Sequence, residues 1–310
     1  MVKITENSST LSIKRVFLSV IVFFMLLENF PLCLIFQPNQ LDNLRMKPTF
    51  KQICYFAFLF LGIQFATVAS NTPDNTTLLK KLQSKVMGNQ ADYSFIYNGK
   101  KVTKITFTTF DGTSRKGYFK FTYSGNLITK IQEFTNTNKN TFTSEFTYTN
   151  GKLSSVVKQE IGKNKAEKIN YIYNSENSIT AKRSIGNSSQ QLQVVGNETL
   201  YFSENKLIKK VENGVISSSS IYEYDRANNP LQNVIGMNAI NIYLNTTFGI
   251  FSSSGLEGIQ NNRIKQSVFS AEGNLEYVLV FNTNYNTINF PDKKMSPPDS
   301  PGAFEYFYTY

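Results

Sequence analysis

Phe119-Lys120-Phe121-Thr122-Tyr123-Ser124-Gly125-Asn126-Leu127-Ile128-Thr129-Lys130-Ile131 alternates aromatic with polar residues, breaks at Gly-Asn, and resumes with aliphatics. Period-two alternation on both sides of a pair that tolerates positive backbone angles reads as strand, tight turn, strand. The shape recurs around Tyr97-Asn98-Gly99, Tyr148-Thr149-Asn150-Gly151 and Tyr173-Asn174. Looser copies follow at Phe202-Ser203-Glu204-Asn205 and Tyr224-Asp225. The aromatics before the turns stand at 97, 123, 148, 173, 202 and 224, a period of roughly 25 residues that makes one hairpin per unit. The fold class expected is all-β: an antiparallel meander of repeated hairpins forming an open, twisted or partly curled sheet. With Asn150-Gly151 as a two-residue turn, Thr149 faces Lys152 and Tyr148 faces Leu153.

The composition suits such a sheet. Phe (26) and Tyr (17) are abundant and Trp is absent, as half-buried sheet faces favour flat rings that pack across strands. His is absent, and Cys33 and Cys54 both lie in apolar N-terminal runs. The commonest general base and metal ligand are therefore missing, and so are a thiol nucleophile and a disulfide in the body. No catalytic, cofactor-binding or metal-ligating residue is assigned, and no cofactor is expected. The formal charge is +10, and residues 1–70 carry six of the 32 basic and three of the 22 acidic groups, leaving the body at +7. The lysines are scattered through turns and alternate strand positions, so they read as a solvated face; no nucleic-acid partner is expected.

Residues 1–45 read as an upstream extension holding one hydrophobic segment, Val16 to Phe36. Residues 46–70 begin with Met46-Lys47, continue through the apolar run Ile53 to Ala69 and exit in small residues. Those are the parts of a signal peptide, with a membrane segment as the alternative. The body is thus expected to be exported, to the periplasm, cell surface or medium, with membrane contact only through these segments. Residues 71–91 read as a linker and a short amphipathic helix, Thr76 to Met87, on the spacing of Leu78, Leu79, Leu82 and Val86. Residues 92–310 are the meander domain.

The period is abandoned between 225 and 262, where Val234, Ile235, Ile240 and Tyr243 mix with Gly and Ser. This loop and short-helix interruption is expected either to plug the sheet's core or to lie over it as a binding element. Hairpins resume at Ile264 to Phe281, and Thr287 to Phe290 and Phe304 to Tyr310 are expected to flank a Pro-rich loop.

The unit resembles the tyrosine-aspartate (RHS-type) repeat. The resemblance rests on Tyr222-Glu223-Tyr224-Asp225 and on Tyr123 to Ile131, and spans roughly residues 92 to 282. It is closer still to small exported bacterial proteins of unknown function whose meander is broken by a segment like Asn229-Pro230-Leu231-Gln232-Asn233-Val234. The resemblance implies export and an all-β meander and supplies no functional residue. Only Tyr224 is followed by Asp, and the repeats are too few for the toxin-enclosing shells of long RHS proteins.

Glu223 and Asp225 share one strand face, and a carboxylate pair is what glycoside hydrolysis would need; Asp225, however, begins a turn. The function expected is therefore non-catalytic: binding or a structural role at the cell envelope, with a glycan, lipid or protein as partner. Two alternatives stand beside it, a carboxylate-dependent glycoside hydrolase and a lipid carrier using a concave sheet face.

Overall fold

The computed structural model describes residues 76–310, except 111, 175–176, 214–216, 247–255, 257, 298–299 and 301–302. These residues belong to one compact unit, 71–310. The two hydrophobic segments of the N-terminal 70 residues lie outside them.

The structure is an all-β antiparallel meander. Its first half comprises β1 (Lys81–Val86), β2 (Asn89–Asn98), β3 (Lys101–Phe110), β4 (Ser114–Ser124), β5 (Leu127–Thr135), β6 (Asn140–Thr149), β7 (Lys152–Glu160), β8 (Lys165–Tyr173) and β9 (Ser178–Gly186). The second half adds β10 (Gln193–Ser203), β11 (Lys206–Asn213), β12 (Ser218–Tyr224), β13 (Arg263–Ser270), β14 (Leu275–Val280), β15 (Asn282–Tyr285), β16 (Pro291–Met295) and β17 (Phe304–Thr309). Consecutive strands pair, and β1 pairs with both β2 and β17. Of the open, twisted or partly curled forms expected, the sheet takes the curled one, a nearly closed barrel. Its one seam is at Phe281, where a continuous run pairs first with β13 as β14 and then with β16 as β15. Counted as one run, β14 and β15 reduce the 17 strands to sixteen, the even number an antiparallel ring requires.

The expected register holds: Thr149 pairs with Lys152 and Tyr148 with Leu153. The helix expected over Thr76 to Met87 is instead strand β1, turned at Met87-Gly88 into β2. Leu79 and Leu82 have helical spacing, but Leu82 is fully buried on the sheet's inner face and Leu79, just before the strand, is buried in the same core, and closing the ring with β17 outweighs local preference. Thr287 to Phe290 is likewise a turn and not a strand, and the strand falls on Pro291–Met295, with Pro as its first residue.

Pairing places one set of residues on the inner face all the way round. From β1 that face runs Leu82, Tyr93, Phe107, Gly117 and Thr135. Nearer the short turns it reads Phe95, Ile105, Phe119, Glu133 and Phe142. The outward face carries Lys85, Lys120, Lys130, Lys168, Lys182, Lys209, Lys265 and Lys293 among Thr, Ser, Gln and exposed Ile and Val. Each lysine at the lipid midplane would cost about 2–4 kcal/mol, and a spanning barrel shows an apolar outer band. Here the larger apolar set faces inward, and lysines interrupt the outward apolar residues, Ile96, Ile172, Ile221, Val278 and Val280, which leave no continuous outer band.

A ring of this many strands, about 4.8 Å apart, is too wide for its own side chains to fill. The interruption fills it. Between Tyr224 and Arg263 the chain leaves the sheet, and Leu231, Val234, Met237, Ile240, Tyr243, Leu244, Leu256 and Ile259 are all buried against Phe121, Ile128, Phe146, Leu153 and Tyr171. Its α-helix among the described residues, α1 (Asn241–Asn245), sets the Tyr243 ring edge-on to Phe146, centroids 5.2 Å apart. The plugging role is the one this segment takes.

Candidate functional site

The end of the barrel bearing the short turns owes its shape to the aromatic of each repeat. The register slips by one residue at Tyr97, Tyr123, Tyr148, Phe202 and Tyr224. In three hairpins the extra residue is Thr103, Thr129 or Ser154. Its hydroxyl donates to the carbonyl of Ile96, Thr122 or Thr147, at 3.1, 3.3 and 3.0 Å. Such bulges bend the strand ends, and neighbouring hairpins part: pairing stops at Lys130–Glu145 between β5 and β6, and at Ser155–Asn170 between β7 and β8.

The tyrosine hydroxyl bridges each gap. Tyr148 donates to the Ile128 carbonyl at 2.7 Å, Tyr173 to Leu153 at 3.0 Å, Tyr224 to Leu207 at 2.8 Å and Tyr97 to Leu79 at 2.7 Å. Burial pushes the phenols of Tyr97, Tyr123, Tyr148 and Tyr173 above their ordinary range, because the charged form would be desolvated. Phe202 breaks this girdle for a visible reason. There β9 and β10 stay paired up to the turn, and the Phe202 N–H donates to the Asn177 carbonyl at 3.0 Å, so no hydroxyl is needed.

The plug is tied to the same end. The Ile235 N–H donates to the Lys100 carbonyl at 3.0 Å, the Tyr123 hydroxyl to the Ile235 carbonyl at 3.3 Å, and the Asn241 amide to the Asn205 carbonyl at 3.0 Å. Gly236 has φ +90°, and a Cβ there would stand 2.8 Å from Ile128 Cγ1 and 2.9 Å from Tyr123 Cε1. Between plug and turn tips lies a groove of about 830 Å³, lined by Asn126, Asn174, Asn205 and Asn238 and by the rings of Tyr173 and Phe202. Tyr173 is 38% exposed because its ring forms this wall. The Lys152 ammonium lies 5.0 Å from its ring centroid.

The opposite end has longer loops and a charged interior. Facing inward there, Arg183 holds Glu167 through two hydrogen bonds of 2.8 and 3.0 Å, and Arg115–Glu133 and Lys210–Glu212 are ion pairs. Cations also meet rings away from that end: Arg263, paired with Tyr224 at the turn end, sets its guanidinium 3.9 Å from the Tyr222 ring centroid, and the Lys294 ammonium lies 4.6 Å from that of Phe281. A cavity of about 480 Å³ is lined by Phe142, Lys158, Glu160 and Glu167. These inward carboxylates meet cations instead of converging on one another.

Glu223 and Asp225 are separated by the β12–β13 bulge. Glu223 faces outward and binds Lys265 at 2.7 Å. Asp225 turns inward to accept from the Ala227 N–H at 3.0 Å, the Asn262 N–H at 2.9 Å, the Asn262 side-chain amide at 3.2 Å and the Tyr285 hydroxyl. They do not form the facing pair that glycoside hydrolysis uses. Sequence reasoning missed the hydroxyl girdle. Its signal was the constant interval of 20 residues from Ile128 to Tyr148 and from Leu153 to Tyr173.

No protein-family profile and no curated protein matches the sequence. Among solved structures, a porin-like protein from Bacteroides vulgatus aligns with TM-score 0.48 and 13% identity, over 76% of this chain and 98% of that one. A porin-like protein from Bacteroides uniformis aligns with TM-score 0.47 and 10% identity, over the same shares. Such values leave the function of this chain to its own residues.

Proposed function

We propose that this chain is an exported, non-catalytic binding protein of the cell envelope, capturing its partner at the turn end of a water-facing barrel. The observation that carries the reading is the groove between plug and hairpin tips, where rings and side-chain amides meet in a pocket of ligand size. The lipid-carrier alternative finds less support, because the inner face is filled by the plug at one end and charged at the other. The likeness to tyrosine-aspartate repeats is, on this reading, one of hairpin design, with tyrosine kept for its bridging hydroxyl.

The test begins with intact mass of the exported protein, expected to start near Ser70 or Asn71. That protein, immobilised, should retain envelope material, and Asn238→Ala with Asn126→Ala should abolish retention without changing the melting temperature. Retention that survives both substitutions moves the site elsewhere on the molecule.

A further inference from the structure

We infer that the turn-end groove is a carbohydrate site for neutral oligosaccharides, an assignment that rests on the binding role proposed above. The lining includes no Asp or Glu among the described residues, and Lys152 is its one cation. That ammonium lies against the Tyr173 ring instead of projecting as an open charge. The polar lining is otherwise uncharged: amides, hydroxyl and backbone. A side-chain amide offers donor and acceptor in one plane, which suits a ligand carrying vicinal hydroxyls, each both donor and acceptor. Tyr173 and Phe202 add ring surface for the apolar C–H face of a sugar.

Asparagine is common in tight turns for backbone reasons, and Asn150, Asn177 and Asn205 do have positive φ. Asn126, Asn174 and Asn238 do not; Asn238 lies in a 3₁₀ turn of the plug, and Asn174 donates to Thr180 Oγ1 at 3.1 Å. A left-handed backbone accounts for none of these three, and of them Asn174 also braces its own turn, its amide donating to Ser178 Oγ at 3.4 Å. They come from two hairpin tips and from the plug, and they line one groove only because the plug rises into the barrel. The volume, about 830 Å³, lies in the upper part of the 300–1,000 Å³ range of small-molecule pockets and so accommodates several sugar rings.

The experiment is calorimetric titration of the full exported chain with maltotetraose, cellotetraose, mannotetraose and xylotetraose, beside tetragalacturonate. The inference expects saturable binding of at least one neutral tetrasaccharide. Asn238→Ala should weaken it about tenfold, the worth of one hydrogen bond, and outward-facing Lys120→Ala should leave it unchanged. Preference for tetragalacturonate, or neutral binding indifferent to both Asn238→Ala and Asn126→Ala, overturns it. If no tetrasaccharide binds while envelope capture still depends on Asn238, the carbohydrate assignment falls and the binding role stands. Loss of groove-dependent capture as well overturns both.

Discussion

Asp225 and Asn262 lock the two ends of the plug together. The Asp225 N–H donates to the Asn262 carbonyl at 3.1 Å, and the Asn262 N–H returns a bond to the Asp225 carboxylate at 2.9 Å. The Asn262 amide makes a third at 3.2 Å. A 36-residue excursion is thereby closed at its neck like a hairpin, and β12 passes to β13 as if the plug were a turn. Tyr285 adds its hydroxyl from β15, joining the neck to the seam of the barrel.

Asp225→Ala should cost about 3 kcal/mol, since it strips the acceptor from several donors at once, one of them the half-buried Tyr285 hydroxyl. Tyr285→Phe should cost about 1–2 kcal/mol. Urea unfolding of the two variants and the double variant checks this; additive costs would show that the two residues do not share one network.

Tyr148→Phe removes only the hydroxyl that bridges to Ile128 and should cost about 1 kcal/mol. Phe202→Tyr should bring no gain, because its joint is already closed by a backbone bond. Equal and opposite effects in denaturant unfolding would contradict the bridging role.

The girdle also predicts an alkaline limit. Burial raises the folded-state phenols of Tyr97, Tyr123 and Tyr148 above their ordinary value of 10.0. A raised folded value means that this stability is fully present below pH 10 and is lost as pH climbs toward the folded-state values. Melting temperature should hold between pH 7 and about pH 9.5 and fall steeply above pH 10, with a shallower fall in Tyr148→Phe.

Gly236→Ala should destabilise by about 2–3 kcal/mol, because the left-handed backbone and the contacts with Ile128 and Tyr123 both oppose a Cβ. Tyr243→Ala, which empties the centre of the plug, should cost about 3–5 kcal/mol. Lys120→Ala on the wet face should stay within about 0.5 kcal/mol. Thermal or urea melts of the three separate plug from surface.

Much of the meander was legible because hairpin register is a local property. Asn150-Gly151 and the Tyr-aliphatic spacing suffice to pair Tyr148 with Leu153. Closure was not legible. β1 is six residues long, its Leu82 continues the helical spacing of Leu78 and Leu79 just before it, and its second partner, β17, lies at the far end of the chain. The groove was hidden for the same reason. Asn126 and Asn174 sit on separate hairpins and Asn238 on the plug, and nothing local to any of them announces that they meet.

Everything said of inner face, wet exterior and groove depends on the ring being closed by β1 and β17, where Lys85 and Glu305 are paired on the outer face. Paired strands bring Cα atoms within about 4.5–5.5 Å, inside the disulfide range. The direct measurement is cross-linking of Lys85→Cys/Glu305→Cys in a background with Cys33 and Cys54 replaced by Ser. The account predicts a disulfide within single folded chains, seen as a gel shift reversed by reductant, with the melting temperature kept or raised. Two freely labelled thiols in a folded monomer would show an open sheet and contradict it.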